Sequence, residues 1–91
     1  MAEVWIPTNM QQLTNGRRQI NVAGSSVRQI IANLDAAYPG TANTLLDAEG
    51  IGISPELAVV VDNEIAGLGL LEPVSNNSEV HFIPAISGGF N

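Results

Sequence analysis

No cysteine occurs in these 91 residues, which excludes disulfides and thiolate chemistry. No lysine occurs either; the cations are Arg17, Arg18 and Arg28. No side-chain amine is therefore present to compete for an activated acyl group, and only the Met1 α-amine remains. Charged residues make up 13% of the chain, and the net charge is −6. A chain so poor in cations lacks the basic footprint of a nucleic-acid binder and suits a basic protein partner. No apolar run approaches the roughly 20 residues of a membrane span. The opening "MAEVWIP" has no basic region followed by an apolar stretch, so the expected compartment is the cytoplasm rather than a secretory route. His81 is the sole histidine, and no cluster has metal-ligand spacing. No phosphate-cradling G-x-x-x-x-G-K-[ST] or G-x-G-x-x-G occurs, and no nucleophile–base pair is visible.

What is present is a hydrophobic fraction of 45%, enough for one small globular domain. "EVWIP" alternates, with Val4 and Ile6 on one face and Trp5 on the other. Asn15-Gly16 is a strong hairpin signal and predicts an antiparallel partner over Gln19 to Val22. Val27, Ile30, Ile31, Leu34 and Tyr38 form the stripe of an amphipathic helix, which Pro39-Gly40 stops. Ser26 with Gln29 has capping-box spacing, although Ser25 could be the cap instead. A short second helical turn fits "TANTLLDAEG". "ELAVVVDNE" reads as a strand with Leu57, Val59 and Val61 on one face. "AGLGLLEPVSNNS" reads as loop, with a very short edge strand near Ile65. "EVHFIP" is the last strand, Val80 and Phe82 on one face, His81 and Ile83 on the other. Gly67-Leu68-Gly69 is turn chemistry, Arg17-Arg18 a solvated hairpin, and Asn76-Asn77-Ser78 a sequon that a cytosolic chain would not use. One helix covers one face of the sheet, giving a two-layer α+β domain.

The chain ends "AISGGFN". Taken with "VWIPT", "AYPG", "VVVDNE" and "EVHFIPAISGG", it resembles the ThiS/MoaD family of ubiquitin-like sulfur carriers over residues 3 to 89. The resemblance is greatest to the carriers of cysteine synthesis and of thioquinolobactin type. It implies a β-grasp fold: a mixed sheet of four to five strands, order 2-1-5-3-4, with one main helix packed on one face. Residues 1–86 would form that domain, and 87–91 a flexible tail carrying Gly-Gly plus a two-residue extension. It also implies a carrier, not an enzyme, with no cofactor bound. An E1-like activating enzyme of MoeB/ThiF type would adenylate the Gly89 carboxylate with ATP, and a sulfur donor would leave a thiocarboxylate. A sulfur-accepting synthase would then take the sulfur. Cysteine, molybdopterin, thiamine and thiocarboxylate metabolites all remain as destinations. Glycine has no Cβ, so Gly88 gives the tail access to a narrow channel. Phe90 and Asn91 lock Gly89 in an amide, which the resemblance resolves by a JAMM-type metallopeptidase cutting between Gly89 and Phe90. The alternative is a ubiquitin-like protein-binding module whose tail is not activated.

The pleat predicts one further feature. If Val4, Ile6, Val59, Val61, Val80 and Phe82 face the helix, then Trp5, Val60, His81 and Ile83 share the opposite face. With strands 1, 5 and 3 side by side they form one patch, a partner-binding surface unless the loop from 66 to 78 folds over it. No nucleic acid and no membrane is expected as a partner.

Overall fold

In the computed structural model, which describes residues 1–85, the two strands nearest the chain ends lie side by side. β1 (Ala2–Trp5) runs parallel to β5 (Glu79–Pro84), in the register Glu3 to Glu79, Val4 to Val80 and Trp5 to His81. β2 (Gln19–Val22) flanks β1 antiparallel, β3 (Leu57–Val61) flanks β5 antiparallel, and the two-residue β4 (Glu64–Ile65) edges β3. The order is β2-β1-β5-β3-β4, a mixed five-stranded sheet. This is the β-grasp arrangement, with α1 (Val27–Ala37) packed on one face.

The inward face follows from alternation. Val4, Ile6, Val59, Val80 and Phe82 are all buried, and Val61 stands at 9% exposure. They meet Val27, Ile30, Ile31 and Leu34 of α1 in one core. Each such burial is worth about 1.5–3 kcal/mol before entropy is charged against it. The helix starts at Ser26, whose Oγ accepts the Gln29 N–H at 3.2 Å. Gln29 Oε1 reaches back to the Ser25 N–H (2.8 Å) and hydroxyl (3.0 Å), so both serines serve the cap. At the far end Asp35 Oδ1 accepts the N–H groups of Gly40 and Ala42, opening the short α2 (Thr41–Leu45).

The signal at Asn15-Gly16 is corrected. β1 and β2 do pair antiparallel, but this dipeptide does not join them as a two-residue loop. Pro7 leads into a 3-10 helix, Thr8–Thr14, that carries Met10 into the core. Asn15 (φ 57°) and Gly16 (φ 81°) then make the turn that closes that helix, with the Arg17 N–H donating to the Thr14 carbonyl at 3.0 Å. The true two-residue hairpin is Asp62-Asn63, between β3 and β4, with φ of 52° and 72°. Its Asp62 carboxylate accepts the Ser78 hydroxyl (2.8 Å) and the Glu79 N–H (2.9 Å), pinning the start of β5.

The loop from 66 to 78 lies on the helix side, not over the outer face. A 3-10 turn, Gly69–Leu71, buries Leu70, and Val74 is buried as well. The Val27 N–H donates to the Glu72 carbonyl, and the Val74 N–H to that of Ser25. The expected mobile arm over 87–91 lies outside the described residues.

Candidate functional site

The outer face of the sheet is built by register. A single row crosses all five strands: Gln19, Trp5, His81, Val60 and Ile65. Trp5 and His81 are direct neighbours on the parallel strands, and their rings stack, centroids 5.1 Å apart and 8° from coplanar. The Trp5 and His81 rings are half-buried, as is Val60 beside them. One pleat further along, Ile83 pairs with Ala58 and stands 40% exposed. The structure thus brings Trp5, His81 and Val60 into one row, with Ile83 next to it towards the end of β5. Sequence reasoning missed the ends of that row. Gln19 and Ile65 become visible only once the pairing partners are known, and Ile65 is 67% exposed.

The face is polarised along β5. At its start Glu3 and Glu79 sit opposite one another on adjacent strands, a like-charge pair that disfavours the isolated surface. His81 Nε2 lies 3.5 Å from Glu79 Oε1, two residues along the same face. The middle is aromatic, and the end is aliphatic at Ile83. From Glu79 to Ile83 the strand advances about 13 Å. Beyond Ile83 the described chain ends at Ala85, whose N–H donates to the Glu56 carbonyl at 2.8 Å. The segment that carries Gly88, Gly89 and Phe90 is therefore rooted at the apolar end of this face; those three residues lie outside the described ones.

Among the described residues no group of three or more His, Cys, Asp or Glu side chains could hold a metal ion. His81 has an aromatic neighbour and one carboxylate, which suits contact rather than proton transfer. No helix among the described residues is long and apolar enough to cross a membrane.

Comparison with known proteins agrees with this architecture. The sulfur carrier protein CysO of Mycobacterium tuberculosis is 27% identical over 89 residues, covering 94% of this chain and 96% of that protein. The crystal structure of M. tuberculosis CysO, described as an antigen, superposes with a TM-score of 0.87 at 26% identity, covering 94% of this chain and all of that one. A chain of the Amycolatopsis orientalis BexX/CysO complex superposes with a TM-score of 0.86 at 25% identity, covering 98% of this chain and all of that one. These relatives are small carriers rather than enzymes, and one of them was crystallised with a protein partner. The model of the ThiS family matches residues 4–89, from the first strand through the glycine pair, and the chain belongs to that family.

Proposed function

We propose that this chain is a sulfur carrier whose reacting group is the carboxylate of Gly89, exposed after Phe90 and Asn91 are removed. The observation that carries the reading is the extent of the family match. It runs through Gly88 and Gly89 and stops before Phe90. In the encoded chain the Gly89 carbonyl is part of a peptide bond, and ATP cannot adenylate an amide. Hydrolysis of the Gly89–Phe90 bond, the work of a JAMM-type metallopeptidase, releases the dipeptide and leaves a carboxylate. An E1-like enzyme then joins that carboxylate to AMP, with pyrophosphate leaving. A sulfur donor displaces AMP and leaves the thiocarboxylate, which passes its sulfur to a synthase. The CysO relatives favour cysteine-type chemistry for that last step. ATP belongs to the partner, and this chain binds no cofactor. The setting is the cytoplasm, where such partners work.

The outer face gives the carrier its orientation. The activating enzyme docks on Trp5, Val60, His81 and Ile83, with basic side chains opposite Glu3 and Glu79. That polarity fixes which way β5 points, so the tail rooted beyond Ile83 is delivered towards the partner's active site. Residues 1–86 serve as the folded handle and 87–91 as the delivered segment.

Intact mass of the protein recovered from its native cell tests the reading. A chain ending at Gly89, or that chain with one oxygen replaced by sulfur, is the expected species. Recovery of full-length protein alone, with the peptidase and activating enzyme active, would overturn it in favour of a binding module with an inert tail.

A further inference from the structure

The helix layer carries a surface of its own, on the other side of the molecule from the sheet's outer face. A groove of about 420 Å³ runs along α1. Ile31, Ala42, Leu46 and Leu70 line it, and Gly50-Ile51 forms part of its wall. Arg28 and Asp35 line it too, two helical turns and about 10 Å apart along the α1 axis. Among the described residues no large apolar side chain is more exposed than Ile51, at 75%. Its position is held by a tight turn. The Ile51 N–H donates to Asp47 Oδ1 (3.1 Å), the Gly50 N–H to the Asp47 carbonyl (3.0 Å) and the Asp47 N–H to the Gly52 carbonyl (2.9 Å). Gly50 supplies the positive φ of 73° that this turn needs. The turn therefore fixes an isoleucine in water, where it adds nothing to this copy's core.

Charge identifies what covers this face. The chain has three cations against nine acids, and Arg28 forms no ion pair among the described residues. Asp35 uses Oδ1 to accept the Gly40 and Ala42 N–H groups, while its Oδ2 accepts no hydrogen bond among the described residues. Arg28, Ile31, Ala32 and Asp35 all line the groove, and their spacing reads the same from either end of the helix. A two-fold axis crossing α1 at right angles between Ile31 and Ala32 therefore sets each Arg28 opposite the other copy's Asp35. A parallel crossing would set Arg28 against Arg28, so the charges select the antiparallel one.

We propose that this groove is where a second copy of the chain docks, α1 against α1 antiparallel, with an Arg28–Asp35 pair at each end and both Ile51 side chains in the joined grooves. The exposed Ala32 at the centre has no long side chain to hold the two helices apart. A patch made of one helix and one turn falls short of the roughly 1,600 Å² of a standard interface, so the dimer is weak and reversible. It leaves the sheet's outer face free on both copies. The proposal does not rest on the sulfur-carrier reading.

Sedimentation velocity of the full chain tests it, from about 10 μM to about 2 mM, the range of weak association. Salt is set at about 0.15 M to screen the long-range repulsion between two copies of charge −6. The mass is expected to rise from 9.5 kDa towards twice that value. The amide resonances of Arg28, Ala32 and Ile51 are expected to move with concentration. Ile51→Glu and Arg28→Asp are each expected to weaken association at least about tenfold. Both sites are exposed, and an acid in the first turn of α1 suits the helix dipole, so the loss is not one of folding; the remaining amide resonances check this. Adding Asp35→Asn to Arg28→Asp removes the like-charge contact and keeps an oxygen for the Gly40 and Ala42 N–H groups. That double variant is expected to associate more tightly than Arg28→Asp alone. A protein still monomeric at the highest concentration would overturn the proposal, as would a dimer that neither single variant weakens. A dimer dispersed by Ile83→Asp but not by Ile51→Glu would also overturn it, by placing the contact on the sheet face. These readings use no sulfur, ATP or partner enzyme, so they fail or succeed independently of carrier activity.

Discussion

Ile83 and Phe82 are adjacent, apolar and opposite in fate. Phe82 is 3% exposed in the core, whereas Ile83 is 40% exposed on the outer face. Pleat alone separates them, because successive strand side chains point to opposite sides. A solvent-facing isoleucine contributes little to folding, so its replacement separates stability from recognition. Ile83→Asp is expected to cost at most about 1 kcal/mol of stability, the span of strand propensity. It is expected to weaken binding of the activating enzyme by at least about tenfold, since anchor residues carry upwards of about 1.4 kcal/mol. Calorimetric titration beside a thermal melt reads both. Unchanged affinity in a folded variant would remove Ile83 from the docking face. Its place opposite the core was legible from alternation in "EVHFIP". The stacking of Trp5 on His81 was not, because it depends on a parallel register between residues 76 positions apart in the chain (81 − 5).

At the scale of elements, α1 shows how far local rules reach. Its stripe and its stop at Pro39-Gly40 follow from spacing, and its start lies at one of two serines. The structure gives the cap to Ser26, whose Oγ accepts the Gln29 N–H, while Ser25 donates its N–H and hydroxyl to Gln29 Oε1. Ser26→Ala is expected to lower stability by about 1 kcal/mol, and Ser26→Gly by only a few tenths. Urea unfolding of both variants measures this, and equal losses would mean that the hydroxyl is not the capping group. Turns were less legible. Asn15-Gly16 and Asp62-Asn63 both adopt positive φ, as short polar residues and glycine allow. Local chemistry favoured the first as the hairpin, yet the second joins paired strands. The difference lies in Pro7 and Met10: one prevents β1 from continuing, the other draws the connection into the core before it can return. A turn's conformation is local, but what it joins is decided by packing.

At the scale of the molecule, the last strand in sequence is the middle strand in space. β5 lies between β1 and β3 and supplies Val80 and Phe82 to the core. Remove it and β1 with β2 no longer touches β3 with β4. A chain ending at Ser78 is therefore expected to show no cooperative unfolding transition and a largely disordered far-ultraviolet spectrum; a folded, cooperative fragment would contradict this. The same placement governs how the protein is born. A ribosome releases residues in order, a few to some twenty each second, while earlier segments wait for partners. Here β1 must wait for β5 before its parallel ladder can form. An interrupted product cannot close its sheet and is left open to proteases. The outer face, composed of β1, β5 and β3, comes into being only when the stem of the tail has been made. An enzyme that reads this face thereby meets only chains whose β5 has been made and set between β1 and β3.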